Sequence, residues 1–253
     1  MTVIAVLADP PREGLGYPSL PATSPLSAAE ATELYEAVLR DLVRAVDRSG
    51  GDLLVNHPTE EQLPADARTG TDPEAELRAV VADVLGDASD ARFEPQVGST
   101  FSARAGNTAT HLLREEGAGS VAIVTPATPF LSRSIIDAAA MKLRTATAVL
   151  GPSTAGRCHY AGFTEPIDFA GAFEPPSVQT LAERTRDAGG EVEFVRSLPT
   201  IETGRDLLDV VPLLRARFAA ERIVPEHTAA FVHEHGLAVH EDDADGELTL
   251  IRE

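Results

Sequence analysis

The stretch that decides the fold is residues 120–163, SVAIVTPATPFLSRSIIDAAAMKLRTATAVLGPSTAGRCHYAGF. It predicts a strand over 121–125, a helix over 132–143 and a strand over 146–151, with a loop of small residues after each strand. In open α/β sheets, the loops at the carboxyl ends of the strands hold the ligand. These two loops, TPATP at 125–129 and STAG at 153–156, contain no carboxylate. The pattern of strands and helices is typical of an enzyme, but the loops offer few charged groups for catalysis.

The same alternation continues along the rest of the chain. Apolar runs predict strands over 3–8, 52–57, 91–96 and 192–197, and helical spacing predicts helices over 27–46, 77–85, 105–116, 179–188, 204–218 and 228–235. Ser27 and Glu30 form a capping-box pattern at the start of the first helix. The pattern predicts a single three-layer α/β/α Rossmann-like domain with a mainly parallel sheet over 1–236. Residues 237–253 form an acidic tail, for which an edge strand and a frayed terminus are both open.

The amino-acid composition restricts the kinds of molecule that the protein is expected to bind. The 253-residue chain has a formal charge of -19, from 40 acidic residues against 20 Arg and a single Lys. This charge opposes nucleic acid and anionic membranes, and with so little Lys it suggests a halophilic protein with an acidic surface. An acidic face that recruits a basic partner is the alternative. A lone Cys158 and the absence of a signal peptide or membrane span predict a cytoplasmic protein; a homo-oligomer or association with a paralogue stays open.

The loop after the first strand is the first candidate binding element. Asp9 and Arg12 are its charged candidates for substrate contact, and Gly14 and Gly16 would let the backbone approach a ligand closely. A flexible surface loop rich in Pro and Gly is the competing interpretation.

The loop over 125–129 is the second candidate. Thr125, Thr128 and backbone amides are placed to bind an anion at the start of the helix that Ser132 opens. Alternatively, Thr125 only ends the strand and Ser132 only caps the helix.

The next loop and the chain after it supply further candidates. Gly151 and Gly156 make the turn, and Arg157, His159 and Tyr160 follow, each as a candidate to face a phosphate or a base. His159 is the candidate for proton transfer near neutral pH, against the simpler interpretation of a strand residue.

Glu202 is the carboxylate placed where a late metal ligand and catalytic group would stand, just before the helix at Gly204. It is equally explained as a charge that complements the amino end of that helix.

Read together, several segments resemble a known family. They are LSAAEA at 26–31 with Leu34-Tyr35, Gln96-x-Gly98 with Arg104, 122–131 with Pro129 and Leu131, VLGP at 149–152 with Gly156 and Gly162, and TIETGRDL at 200–207. In this order they resemble the glycosyltransferase-A-like family of prokaryotic proteins, relatives of 2-phospholactate and molybdenum-cofactor guanylyltransferases. The resemblance implies a glycosyltransferase-A type fold, nucleotidyl or glycosyl transfer from a nucleotide or sugar nucleotide, Mg²⁺ or Mn²⁺ as cofactor, and Gln96 and Arg104 among the substrate-binding residues.

The departures from the family pattern bear on the chemistry. Ala127, Ala155 and Thr200 stand where the family has acidic residues, and the basic run of the first loop is missing. Glu202 is a conservative remnant, and a transferase would have to use Glu202, Asp9 or Asp206 in place of the missing acids. A metal-bridged phosphoryl reaction without these groups loses several kcal/mol of charge stabilisation. Two functions therefore stand side by side: a nucleotide- or sugar-nucleotide-dependent transferase, and a non-catalytic nucleotide- or sugar-phosphate-binding or regulatory protein that has lost the metal site.

Overall fold

The computed structural model describes residues 2–89, 91–241 and 246–253. The strands are β1 (Thr2–Leu7), β2 (Asp52–His57), β3 (Arg92–Pro95), β4 (Ser120–Val124), β5 (Ala148–Pro152), β6 (Cys158–Phe163), β7 (Val192–Phe194), β8 (Leu237–Glu241) and β9 (Leu248–Arg252). The helices are α1 (Leu20–Thr23), α2 (Ala28–Asp47), α3 (Pro73–Leu85), α4 (Phe101–Arg114), α5 (Arg133–Lys142), α6 (Ser177–Asp187), α7 (Gly204–Ala219) and α8 (Glu226–Glu234).

Seven strands form one sheet in the order β3-β2-β1-β4-β6-β5-β7. β1 pairs in parallel with both β2 and β4, so the chain first builds the sheet outward to β3 and then returns to the other side of β1. Only β6 runs against its neighbours β4 and β5. The carboxyl ends of β1 and β4 therefore meet at the point where the strand order reverses, which is where ligands bind in open α/β sheets.

Both faces of the sheet are covered by helices. Ile4 and Val6 of β1 face a core that includes α2, α3, α5, α7 and α8, and Val3, Ala5 and Leu7 face a second core that includes α4 and α6. This two-sided burial explains why β1 is an almost continuous apolar run with no alternation. The predicted α/β fold with a mainly parallel sheet is confirmed.

Local signals explain where several helices begin. The Ser27 hydroxyl accepts a hydrogen bond from the Glu30 amide at 3.3 Å, and the Glu30 carboxylate accepts one from the Ser27 amide at 2.7 Å, which confirms the predicted capping box. Ser132 lies at the amino end of α5, but its side chain makes no capping bond and lies against the Ser134 hydroxyl instead. The helix predicted to start at 105 begins at Phe101, because the Thr100 hydroxyl caps it, and Arg104 therefore lies in its first turn.

One strand of the main sheet is missing from the predicted set of strands, although a strand residue was one of the two interpretations of His159. Residues 158–163 form β6, which lies between β4 and β5 in the middle of the sheet. Its antiparallel direction places its first residues at the same end of the sheet as the carboxyl ends of the other strands. His159 therefore lies at the edge of the sheet where the predicted loops gather.

The acidic tail is structured where it is described. β8 and β9 form a separate antiparallel hairpin, with Leu237 and Ala238 buried, and both strands contact α7. The described part of the tail thus contributes to a hairpin in which β9 pairs with β8 and not with an edge of the main sheet. Residues 242–245 of the acidic run lie outside the described residues.

None of the helices in the described part of the chain combines the length and the apolar composition needed to cross a membrane.

Candidate functional site

A cleft of about 360 Å³ opens at the carboxyl ends of β1 and β4. Leu7 and Asp9 form its floor on the β1 side, and Val124 and Thr125 do so on the β4 side. Its size falls in the range of small-molecule sites, and its position is the switch point of the sheet. This cleft is the candidate functional site.

The structure brings more than half of the sequence-predicted site residues to this cleft. They come from the first loop, from the segment after β3, from α4, from the loop after β4, from the chain around the start of β6 and from the turn before α7. They are Asp9, Gly16, Gln96, Arg104, Thr125, Arg157, His159 and Glu202. The family resemblance and the loop argument thus converge on one place in the fold.

Arg12 lies elsewhere. Its guanidinium is buried and donates hydrogen bonds to the carboxylates of Glu60 and Glu76, at 2.7 Å each, and to the carbonyls of Ala67 and Thr71. Through these hydrogen bonds and ion pairs, Arg12 holds the first loop against α3 and against the segment that precedes α3. The predicted ligand contact of Arg12 is contradicted by this geometry, since no donor is left to face the cleft.

Five other predicted residues do not line the cleft. Gly14 has a left-handed backbone with open space around it, and Gly156, also left-handed, packs on Pro176. Thr128 and Tyr160 are almost completely buried, Tyr160 within the core on the α2 side of the sheet. Gly151 lies against the ring of His159, so its part in the site is to accommodate that ring.

Asp9 is held by the phenol of Tyr35, which hydrogen-bonds to its backbone amide and carbonyl. Burial raises the pKa of the Asp9 carboxyl above its ordinary value, and the positive charge of Arg104 opposes that rise. Asp9 and Arg104 are therefore close enough for their charges to interact, and the environment of Asp9 disfavours its ionised form.

Arg104 is the free cation of the cleft. Its Nε is buried without a hydrogen-bond partner, and its guanidinium forms no ion pair with any residue that the structure describes. Other arginines near the site are paired: Arg12 as above, and Arg157 with Asp206 and Glu202. A buried donor without a partner costs about 1–3 kcal/mol, and more when it is charged, so an anion that binds Arg104 offsets this cost.

Gln96 is buried directly after β3. Its Nε2 donates a hydrogen bond to the carbonyl of Asn56 at 2.7 Å, which fixes the orientation of the amide because a carbonyl only accepts. Gln96 thus contributes to the lining of the cleft with its side-chain amide held in place by the backbone of β2.

His159 lines the cleft with an imidazole that is only 2% exposed. Nε2 lies 3.0 Å from the carbonyl oxygen of Arg196, and Nδ1 is buried with no partner among the described residues. Burial lowers the pKa of His159, so the neutral form is favoured near pH 7.

Glu202 lies at the rim of the cleft, with its side chain 56% exposed. Its carboxylate is 3.0 Å from Nη1 of Arg157, and Arg157 also pairs with Asp206, which caps α7 through the Thr203 amide at 2.9 Å. The Glu202 carboxylate is thus already matched by a cation, and Asp206 is committed to the helix cap.

The residues present do not fit a resident Mg²⁺ or Mn²⁺ ion. Within the described residues, no three His, Cys, Asp or Glu side chains come together to hold a metal ion. The two carboxylates of the cleft are Asp9 and Glu202, and Glu202 already pairs with Arg157. Metal ligands need deprotonated, available oxygens. The side chains at 127 and 200, an Ala and a Thr, add no carboxylate to the lining.

Several lining residues are absent from the sequence prediction. Tyr17 and Tyr35 close the cleft beside Gly16, and Phe101 and Phe173 form an apolar wall through edge-on ring contact. The Tyr17 hydroxyl donates to the Pro126 carbonyl at 2.6 Å. Two of the three tyrosines of the chain therefore line the cleft. An aromatic residue in the loop after a buried strand, such as Tyr17, is a sequence signal from which this lining could have been predicted.

No protein-family model matches this sequence, and comparison with curated proteins finds no significant match. Solved structures do match. A protein from Desulfovibrio desulfuricans G20 described as a nucleotide-diphospho-sugar transferase is 18% identical, with a TM-score of 0.70 over 92% of this chain and 94% of that one.

Two further matches have the same overall architecture. A 4-diphosphocytidyl-2C-methyl-D-erythritol synthase from Anaerococcus prevotii is 13% identical, with a TM-score of 0.52 over 85% of this chain and 96% of that one. A cytidylyltransferase from Leptospira borgpetersenii is 9% identical, with a TM-score of 0.51 over 92% and 94%. The chain therefore shares the α/β fold of these proteins, and at these identities the likeness concerns the fold alone.

Proposed function

We propose that this protein binds a nucleotide or a sugar nucleotide in the cleft, with a phosphate group on Arg104 and without a resident metal ion. The observation that carries the proposal is Arg104 at the switch point of the sheet: its Nε has no hydrogen-bond partner, and its guanidinium forms no ion pair at contact distance among the described residues. Arginine binds phosphate oxygens through paired, charge-assisted hydrogen bonds. The nucleotide-related names of the proteins that share the fold agree with a ligand of this class.

Two features of the cleft support binding over metal-assisted transfer. Of the two carboxylates, Asp9 is buried, which raises its pKa, and Glu202 is already paired with Arg157. A phosphate would therefore meet the cation Arg104 rather than a metal ion held between two free carboxylates. The apolar wall of Phe101 and Phe173 offers a surface on which a planar base can stack. Nucleotidyl or glycosyl transfer is the second function, and it requires a bound divalent ion to arrive with the ligand.

Thermal unfolding in molar KCl tests the proposal, with CTP, GTP, UTP, UDP-glucose and GDP-mannose, each with Mg²⁺, with Mn²⁺ or with EDTA. A ligand at about 100 times its Kd adds about 2.7 kcal/mol of stability, which is a rise of several degrees for a chain of this size. We expect at least one ligand to raise Tm equally with EDTA. No rise under any condition overturns the proposal.

Arg104→Met keeps the volume of the side chain and removes the charge, and Arg114→Met is its matched control, because Arg114 is an exposed residue at the other end of α4. Loss of a charge-assisted bond costs about 1.5–3 kcal/mol, so Arg104→Met should weaken binding by roughly tenfold or more while Arg114→Met leaves it unchanged. Turnover of the same ligands, measured as release of pyrophosphate or sugar, tests the second function; metal-dependent turnover would establish it.

A further inference from the structure

The carboxylate of Asp9 has no partner in the described part of the protein. The phenol of Tyr35 holds only the backbone of Asp9, and none of the described residues hydrogen-bonds to the Asp9 side chain or forms an ion pair with it. Neither carboxylate oxygen is among the fully buried polar atoms that lack a partner. Both oxygens therefore keep accessible surface, in a residue that lines the cleft.

The guanidinium of Arg104 is also accessible and unpaired. Its Nε is fully buried, whereas Nη1 and Nη2 lack partners among the described residues without being fully buried. Arg104 lines the same cleft as Asp9. An anion in the cleft therefore meets the Nη atoms of Arg104.

Asp9 and Arg104 interact through their charges without touching. Burial raises the pKa of the Asp9 carboxyl, and the positive charge of Arg104 acts in the opposite direction. The two side chains nevertheless form no ion pair at contact distance. An anion that binds Arg104 thus places its own negative charge within range of the Asp9 carboxylate.

The other titratable groups of the cleft are mainly neutral near pH 7. Burial raises the pKa of Tyr17 and of Tyr35 well above the ordinary value for a phenol and raises the pKa of the Cys158 thiol to about 11. Burial also lowers the pKa of His159. These four groups therefore leave the charge of the cleft to its acids and arginines.

The remaining charged groups around Asp9 are matched or lie outside the cleft. Glu13 of the first loop is exposed and does not line the cleft. The others have partners of opposite charge: Arg12 has Glu60 and Glu76, Arg157 has Glu202 and Asp206, and His57 at the end of β2 has Glu74 when it is protonated. Asp9 and Arg104 are thus the two unmatched charges of the cleft among the described residues.

A phosphate on Arg104 and an ionised Asp9 repel each other, because like charges disfavour each other's ionised forms. The repulsion disappears when the carboxyl takes up a proton from solvent. The coupling is reciprocal: a proton on Asp9 strengthens anion binding by the same factor by which the anion strengthens proton binding.

We infer that Asp9 limits the negative charge that the cleft accepts, and that a phosphate group on Arg104 binds together with a proton on the Asp9 carboxyl. The inference rests on the proposed function and deepens it, because it names the class of ligand. A sugar nucleotide carries one negative charge on each phosphate, whereas a nucleoside triphosphate ends in a more highly charged group. Asp9 is therefore a specificity-determining residue that favours the sugar nucleotide when no metal ion neutralises the triphosphate.

Calorimetric titration of UDP-glucose with EDTA, at pH values from 5 to 8, tests the inference in 0.1 M KCl, because molar salt would screen the coupling. The diphosphate of UDP-glucose keeps its charge over this range, so a pH dependence belongs to the protein. Wild-type affinity should rise roughly three- to tenfold from pH 7 to pH 5, as Asp9 becomes protonated. Asp9→Asn should bind on the order of tenfold more tightly than wild type at pH 7 and should lose this pH dependence. A titration of His159 would appear in both proteins, so their difference reports Asp9.

Titration in two buffers of different ionisation enthalpy counts the protons that binding takes up. At the pH where wild-type affinity changes most, the wild type should take up a fraction of a proton with UDP-glucose and Asp9→Asn should take up none. Asp9→Ala removes the charge without adding an amide donor for the phosphate, and it should gain affinity as Asp9→Asn does. Asp47→Asn, at the exposed end of α2, is the control and should keep the wild-type affinity and pH profile.

UTP with EDTA tests the class of ligand. It carries the same base as UDP-glucose and a more highly charged phosphate chain. Asp9→Asn should therefore gain more affinity for UTP than for UDP-glucose. An equal gain for both ligands would show that Asp9 does not select by charge.

Inorganic sulfate, an anion without base or sugar, keeps the two proposals apart. If UDP-glucose binds with the same pH profile to wild type and Asp9→Asn, or binds Asp9→Asn more weakly at pH 7, the inference is wrong and the proposed function stands. If no nucleotide binds but sulfate binds with an Asp9-dependent profile and is lost in Arg104→Met, the proposed function fails and the charge coupling stands. If neither binds at any pH, both proposals are overturned.

Discussion

The hydroxyl of Tyr35 bridges both backbone groups of Asp9: it accepts a hydrogen bond from the Asp9 amide at 2.8 Å and donates one to the Asp9 carbonyl at 3.1 Å. Tyr35 belongs to α2 and Asp9 to the loop after β1, so this contact sets the backbone position of a cleft carboxylate. A Cβ at Gly16 would lie 2.5 Å from the Tyr35 ring, which shows how closely the loop wraps around this side chain.

Tyr35→Phe should therefore destabilise the protein, because it leaves the amide and the carbonyl of Asp9 without their partner. Each unpartnered buried group costs about 1–3 kcal/mol. Urea unfolding measures the loss. Tyr17→Phe is the matched control in the same cleft, since the Tyr17 hydroxyl makes one bond, to the Pro126 carbonyl, and the loss should be smaller. Equal losses would show that the bridge to Asp9 adds nothing.

Arg12→Met should be strongly destabilising and should leave ligand binding intact. The substitution removes a cation whose side chain is 7% exposed and leaves Glu60, Glu76 and two backbone carbonyls without their donor, so the loss of stability should exceed that from breaking an exposed ion pair. Arg133→Met is the control, because Arg133 forms an exposed pair with Asp137 and exposed pairs contribute about 0–1 kcal/mol. If folded Arg12→Met loses nucleotide stabilisation, the ligand role predicted from the sequence is restored.

Arg12 also shows where sequence reasoning stops. A cation in the loop after a buried strand is a reasonable phosphate ligand, but its partners Glu60 and Glu76 lie 48 and 64 positions further along the chain. This ion pairing is a tertiary contact, and no local sequence pattern predicts it. The capping box at Ser27 and the buried run of β1 were predictable because their causes lie within a few residues.

The strand β6 was missed for a similar reason. CHYAGF is short, and its small residues are explained only by what they touch: Gly162 has the Leu143 and Tyr160 side chains about 3 Å from where a Cβ would stand. Without β6, the position of His159 at the cleft and the reason for Gly151 beneath its ring were hidden. Arg104 was found through the resemblance, and its lack of a partner became visible only in the structure.

Asp206→Ala should destabilise the protein by roughly 2–3 kcal/mol, because the carboxylate caps α7 and pairs with Arg157. Asp209→Ala, on an exposed position of the same helix, should have little effect. Burial acts to raise the pKa of Asp206, but hydrogen bonds from Arg157 and Thr203 outweigh it and lower the pKa below its ordinary value of 3.8.

A lowered pKa in the folded state gives stability that is present above the unfolded value and is lost as the pH falls through the folded value. The difference in unfolding free energy between wild type and Asp206→Ala should therefore be constant near neutral pH and shrink below about pH 4. Urea unfolding at a series of pH values measures it. A difference that grows on acidification would contradict the ion pair with Arg157.

Asp9→Asn should have the opposite pH dependence and should stabilise the protein at neutral pH. Burial raises the pKa of Asp9 above 3.8, with Arg104 opposing, so the carboxyl favours folding while it is protonated and loses this contribution as the pH rises through its folded pKa. Asn carries no charge to desolvate, and we expect a gain of order 1 kcal/mol at pH 7 that disappears toward pH 4. Asp47→Asn, at the exposed end of α2, is the control. If Asp9→Asn is instead less stable than wild type at pH 7, the surroundings of Asp9, including the charge of Arg104, stabilise its carboxylate more than burial destabilises it.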